Sequence, residues 1–252
     1  MRRLPQWARE LLDSNPGAAP PTPDDPMPGW LEAELARLPL WARIRGTTDV
    51  RQGHPYLLIE DVRRQPDLMR EVLNQREELA ALTTRLIERG VRRVVFTGCG
   101  SAFHAAELGA FLFRRWTGWT SESQESYELT NHWVPPSEQT ALILQSATGS
   151  SFETLDAARH ATEHGVVTVA LTNTPGSALA ELCDESICFP SGQRCGPDVS
   201  VLTTRLMMLY LLALEVGTAT GALNLGQAGE LAGAIAHLPD ATNQFLLDED
   251  LN

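Results

Sequence analysis

Lysine is missing from this chain: all twenty of its basic residues are arginine. A chain without lysine forms no Schiff base with a carbonyl substrate and holds no pyridoxal phosphate covalently. It also has no phosphate loop of the GK[ST] kind, so such chemistry would need a lysine from another chain. Positive charge is short as well. Thirty-two acidic residues against twenty arginines leave a formal net charge of −12. A surface of that sign has little with which to neutralise a phosphate backbone, and no nucleic acid is expected as a partner. Long apolar runs are lacking too. No stretch reaches the roughly 18 consecutive apolar residues of a membrane span. The opening MRRLPQWARELL is broken by Pro5, Gln6 and Arg9 and has no apolar signal core. The expectation is a cytoplasmic protein with no membrane partner. Cysteine is scarce: Cys99, Cys183, Cys188 and Cys195 include no close CxxC pair. That spacing fits neither a disulfide framework nor a zinc site, and buried free thiols are expected.

What is present is an ordinary globular balance, 43% hydrophobic and 21% charged over 252 residues. Residues 1–55 read as an N-terminal extension. Six prolines fall between Pro16 and Pro28 and make a stiff linker that cannot be core helix or sheet. Beyond it Trp30, Leu31, Leu35, Leu38, Leu40 and Trp41 could clasp a body or a neighbouring subunit. Residues 56–220 read as the main domain, with lead-in helices over 56–90. There Leu68, Val72, Leu79, Leu82 and Leu86 share a helical face, with a break expected near Pro66 and a stop at Gly90. Strands then alternate with helices. The expected strands are Val91–Cys99, Thr140–Ala147, Val166–Asn173 and Ser186–Pro190. The expected helices are Ala102–Trp116, with Ala105, Leu108, Phe111 and Leu112 on one face, then Ser151–His164, Ser177–Leu182 and Val199–Val216. Short apolar strands alternating with helices imply a parallel sheet covered on both faces, an α/β fold. Residues 221–252 add one helix and an acidic tail.

In such folds ligands gather at the carboxyl ends of the strands. Three strand ends here are rich in small hydroxyl residues. TGCGSA carries Gly98, Gly100 and Ser101. QSATGSSFET carries Ser146, Thr148, Gly149, Ser150, Ser151 and Thr154, five hydroxyls in nine residues at a helix start. A neutral cradle of that kind binds phosphate through O–H groups, N–H groups and the helix dipole, and needs no lysine. Simple capping competes, because Ser150 with Glu153 three residues later has the form of a capping box. The third end, TNTPGS, is explained by turn chemistry.

These segments, taken in order, resemble the SIS (sugar isomerase) domain. They resemble most the first SIS unit in the isomerase half of glutamine–fructose-6-phosphate aminotransferases, and also sugar-phosphate deaminases and fructosamine deglycases. The run from Glu60 to Gln65-Pro66 resembles the family's lead-in helix, and TGCGSA its glycine turn, with Ala102 where a second serine is usual. SATGSSFET resembles its phosphate loop, and ALTNTPGSALAELCDESI its next strand, loop and helix. GPDVSVLTTRLMMLYLLAL resembles the last core helix, with Arg205 in place of a lysine.

The resemblance implies a three-layer α/β/α, flavodoxin-like fold on a five-stranded parallel sheet. It implies phosphate held by Ser101, Ser146, Thr148 and Ser151, with Val201 and Thr203 near the sugar. It implies sugar-phosphate binding and an aldose–ketose isomerase, aminosugar-phosphate isomerase or deaminase acting by proton transfer between C1 and C2. The alternatives are a non-catalytic sugar-phosphate sensor or regulatory subunit, or one half of a two-SIS enzyme. One SIS unit is present where those relatives carry two, so a homodimer or a second SIS subunit is the expected partner. No cofactor and no metal are indicated, and no glutamine-hydrolysing domain is seen. The acid–base candidates are His104, Asp198 and Glu153. His104 has Glu107 one turn on, whereas His160, Glu163 and His164 read as a solvated helix face and His132–Trp133 as an edge.

Overall fold

A computed structural model of the protein describes residues 57–132, 139–191 and 199–247. The Pro-rich stretch, Trp30–Trp41, Trp133, Cys195, Asp198 and the acidic end lie outside the described residues. The chain divides into two compact units. One is residues 1–60 with 194–197, of which only the start of the first helix is described. The other is residues 61–193 with 198–252, and it holds the sheet.

Two helices, α1 (Leu57–Leu73) and α2 (Arg76–Glu88), lead in. Strand β1 (Arg93–Gly98), helix α3 (Ser101–Trp116), strand β2 (Thr120–Glu125) and helix α4 (Ser126–His132) follow. Next come β3 (Thr140–Ser146), α5 (Phe152–Glu163), β4 (Val167–Thr172), α6 (Ala178–Leu182) and β5 (Glu185–Cys188). Two long helices close the described chain, α7 (Val199–Ala219) and α8 (Leu225–Leu246). The strands are all parallel in the order β2-β1-β3-β4-β5. The expected three-layer α/β/α fold on five strands is therefore the observed one.

Period-two alternation divides the core between the two faces of the sheet. Val94, Phe96, Ala141, Ile143, Val169, Leu171 and Ile187 pack with α1, α2, α3, α7 and α8. Val95, Leu142, Leu144 and Ala170 pack with α4, α5 and α6. Phe96 is fully buried and edge-on to Phe113, with ring centroids 5.0 Å apart. Burial of one such side chain contributes roughly 1.5–3 kcal/mol. Helix α7 is, by length and composition, long and apolar enough to cross a membrane, but two-thirds of its apolar window is buried in this core.

Four details differ from expectation. No break occurs at Pro66, which lies inside α1, and the chain turns instead at Asn74 and Gln75. Proline cannot donate to the carbonyl four residues back. The Gln65 side chain covers that carbonyl, Nε2 donating to Val62 O at 3.1 Å, so the helix continues. The fifth strand, β2, was invisible in the residues because TSESQE is polar. It pairs only with β1, at the sheet edge, and of its side chains only Ser121 is buried. Phe111 is 52% exposed rather than on the apolar face of α3, where Gly109, Ala110, Leu112 and Phe113 do the packing. The thiols of Cys99, Cys183 and Cys188 are free but only partly buried.

Candidate functional site

The sheet order changes direction between β1 and β3: β2 lies on one side of β1, and β3, β4 and β5 on the other. In parallel sheets that switch point opens a crevice at the carboxyl ends of the two strands, where ligands bind. Gly98 and Gln145 are register partners there. A Cβ on Gly98 would meet Ala102 Cβ at 2.8 Å and Gln145 O at 3.0 Å, so glycine lets α3 start against the strand ends. Gly100, with φ of 57°, caps α3, and Ser101 opens its first turn.

Across the crevice, the loop from β3 to α5 folds into a ring of hydroxyls. Ser146 Oγ and Ser151 Oγ are 3.0 Å apart, and the Gly149 N–H donates to Ser146 Oγ at 3.1 Å. The Ser150 hydroxyl donates to Thr148 Oγ1 at 2.8 Å. The N-cap of α5 is Ser151, in extended backbone and with no side-chain cap bond. The Ser150–Glu153 capping box therefore does not form: the helix starts one residue later and the Ser150 hydroxyl is spent inside the loop. The first-turn amides of α5 have no acceptor within the helix and carry its positive end. Thr148 and Ser151 are half-buried and Ser150 is exposed, so the ring opens to solvent on one side. An anion cradle of neutral donors is the chemistry this arrangement can perform.

The third strand end braces the cradle. Thr172 and Thr174 hydroxyls each donate to Ala147 O at 3.2 Å, and Leu179 N donates to Gly149 O at 2.9 Å. Ser177 caps α6 by accepting from Ala180 N. Turn chemistry does explain TNTPGS, and it also holds the neighbouring loop.

Gly100, Ser101, Ser146, Thr148, Gly149, Ser150 and Ser151 thus all lie at the carboxyl edge of the sheet, beside the crevice. Glu153, the second residue of α5, is exposed. His104, in the first turn of α3, has a side chain 76% exposed and donates from Nδ1 to Glu107 Oε2 at 2.9 Å. Val201 is buried in α7, and the half-buried Thr203 hydroxyl is held by Gln65 Oε1 and Val199 O. Arg205, in the lysine position, is 1% exposed, with its guanidinium 6.0 Å from the centre of the Phe189 ring.

The residues alone did not point to three others. Cys99 lies between Gly98 and Gly100, under the influence of the Ser126 and Thr154 hydroxyls. Burial pushes its thiol up, Glu153 and Glu125 push the same way, and the two hydroxyls pull it down without winning. Cys99 is thus a protonated wall of the crevice rather than a nucleophile. Glu125, the register partner of Gly98 on β2, puts a second carboxylate at this end of the sheet, on the strand that sequence reasoning missed. Gln145 is fully buried, and neither end of its carboxamide has a hydrogen-bond partner. A polar residue closing the apolar run TALIL was the only signal available for it. Among the described residues no cluster of three metal-ligating side chains occurs. A cleft of about 470 Å³ lined by Arg92, Thr117, Trp119 and Thr220 lies at the opposite, amino end of the sheet.

Known proteins are similar to this chain in sequence and in fold. A glutamine–fructose-6-phosphate aminotransferase (isomerizing) of Symbiobacterium thermophilum is 28% identical over 209 residues, 78% of this chain and 34% of that protein. The chain thus spans about a third of the length of the curated relatives it matches. The C-terminal domain of glucosamine-fructose-6-phosphate aminotransferase from Francisella tularensis superposes with a TM-score of 0.65 at 16% identity, over 76% of this chain and 56% of that one. The E. coli CFT073 protein c3406, solved in complex with A5P, superposes with a TM-score of 0.58 at 22% identity, over 69% of this chain and 94% of that one. Residues 89–215, half of the chain and all five strands with the crevice between them, match the SIS domain, and the chain belongs to that family.

Proposed function

We propose that the chain binds a phosphorylated sugar or aminosugar in the crevice between β1 and β3, and acts on it as an isomerase or deaminase by proton transfer between C1 and C2. The observation that carries this reading is the Ser146–Thr148–Ser150–Ser151 ring against the start of α5, whose hydroxyls are not used for capping. It recognises a phosphate dianion without lysine, as this composition requires. The phosphate is the handle, and Ser101, at the start of α3, is the further hydroxyl proposed to bind it.

The reaction is a balanced proton shift. A base removes the proton from the carbon beside the carbonyl, leaving an enediolate. The proton returns to the neighbouring carbon while a second proton passes from the hydroxyl to the carbonyl oxygen, so the two groups exchange places; on an aminosugar the same shift gives an imine, which water hydrolyses to a carbonyl and ammonia. Glu153 is the candidate base nearest the cradle, with His104 and Asp198 as further candidates from sequence. The relatives are about three times as long as the stretch matched here, and a homodimer or a second SIS subunit completing the site is part of the proposal.

A second reading is a sugar-phosphate sensor without catalysis. The 76% exposure of the His104 side chain favours it, because nothing there excludes water from the only histidine near the crevice among the described residues.

Incubation with fructose 6-phosphate and with glucosamine 6-phosphate in D2O separates the two. Deuterium entering at C1 or C2, and lost in Glu153→Gln or His104→Ala, supports the isomerase. Binding seen by thermal shift with no exchange supports the sensor, and neither binding nor exchange overturns both.

A further inference from the structure

The proposed site does not use the cleft at the amino end of the sheet. Three turns meet there: α2 into β1 at Ile87 and Arg92, α3 into β2 at Thr117 and Trp119, and α7 into α8 at Ala219–Ala222. Its volume of about 470 Å³ falls in the range that holds a metabolite. The hydroxyls of its lining are already spent. Thr117 donates to Phe113 O at 2.8 Å and accepts from Trp119 N at 3.1 Å. Thr220 donates to Thr117 O at 2.9 Å. Trp119, 5% exposed, joins Ile87, Ala219 and Ala222 in an apolar wall.

Arg92 is the only charged residue of this lining among the described residues. Alternation puts its side chain on the Val94 and Phe96 face of β1, the face that α2, α3 and α7 cover. Its Nη1 donates to Val91 O at 2.7 Å, which anchors the guanidinium at the entrance to the strand. Arg85, Arg89 and Arg93 each pair with a carboxylate. Arg92 pairs with none among the described residues, in a chain of net charge −12. Its remaining N–H groups are open to an anion.

We infer that the cleft binds a small monocarboxylate with an apolar body, the carboxylate on the Arg92 guanidinium and the body against Trp119. Phosphate is the poorer fit. Helices α3 and α7 end beside the cleft, at Trp116 and Ala219, and the negative ends of their dipoles oppose a dianion more than a monoanion. The site is distinct from the crevice. Helix α3 begins at the crevice and ends here, and its 16 residues set the two about 24 Å apart.

Titration of the whole chain with phenylacetate, followed by calorimetry and saturation-transfer NMR, tests this. The expected result is one site, weakened at least ~10-fold in Arg92→Gln by loss of the charge-assisted pair. Ala222→Phe, which fills the cleft, weakens it as much. Phenylacetamide, the uncharged isostere, binds at least ~10-fold more weakly than the acid, and inorganic phosphate does not displace the acid. The Thr148→Ala/Ser151→Ala variant binds phenylacetate as the wild type does, so the result stands whether or not the crevice takes a sugar phosphate. Equal binding in wild type and Arg92→Gln overturns the inference. So do equal binding of the amide, displacement by phosphate, and a wild type that does not bind. Circular dichroism of Arg92→Gln shows that the fold is kept and assigns the loss to the guanidinium.

Discussion

At Gly149 the backbone turns with φ of 60°, and a Cβ there would lie 2.1 Å from Ser177 Oγ and 2.5 Å from Ser177 Cβ. The left-handed conformation and the clash both act on any larger residue. Gly149→Ala is expected to cost about 2–4 kcal/mol in urea unfolding, and a loss under about 1 kcal/mol would mean that the loop adapts. Gln145 behaves in the opposite way. Its carboxamide is buried without partners, and exchanging it for an apolar group of similar size removes that burden. Gln145→Leu should leave the unfolding midpoint unchanged or raise it, whereas a fall of more than about 1 kcal/mol would reveal a structural bond. Burial, with the Asp184 charge adding to it, pushes the Cys183 thiol up to about 12 against a hydrogen bond with Thr168 that lowers it. Of the three described cysteines it should be alkylated most slowly at pH 8. Labelling of Cys183 ahead of Cys99 and Cys188 would contradict that.

Strand β4, strand β5 and helix α2 are locked at the end of the sheet away from the cradle. Thr168 donates its N–H and hydroxyl to Asp184 Oδ2 at 2.8 and 2.9 Å and accepts from Asp184 N at 3.0 Å. Arg89 and Arg85 of the α2 end reach Asp184 and Glu185. Burial alone would raise the Asp184 carboxyl, but the Thr168 bonds and the Arg89 charge outweigh it and hold it below its ordinary value of 3.8. A lowered carboxyl stabilises the fold above that value, and the contribution fades as pH falls through the folded one. With the side chain 41% exposed, solvent screening holds this charge contribution under about 1 kcal/mol. At pH 7, Asp184→Ala also loses the Thr168 bonds and should cost about 1–2 kcal/mol. The gap to wild type should narrow in acid; a gap constant from pH 7 to pH 3 would assign the loss to packing.

This aspartate was on the page as the last residue of the SALAELCD run, yet nothing local marks it as a latch. Elements set by their own periodicity were legible: the apolar strands, the α2 and α3 helices, and the hydroxyl loop. Strand β2 was not, because an edge strand needs no apolar run, and Glu125 at its end was lost with it. The uninterrupted α1 was also hidden, since a side chain that covers the freed Val62 carbonyl is not read from the proline itself. Local patterns record what a residue does to its own backbone. What a distant strand or side chain does to it, they do not.

For the whole molecule, the proposed function makes the hydroxyl loop at the switch point of the sheet a phosphate cradle that needs no lysine. If the site is completed by a second copy, the protein should run at twice its monomer mass in light scattering with fructose 6-phosphate present. A monomer that catalyses exchange would show that one unit suffices. The cradle itself is the central claim, and calorimetric titration of wild type and the Thr148→Ala/Ser151→Ala double variant with fructose 6-phosphate tests it most directly. Removing two hydroxyl donors at roughly 1 kcal/mol each should weaken binding by about 10- to 30-fold while the fold remains intact. Equal affinity in the two proteins would place the phosphate elsewhere and contradict the site.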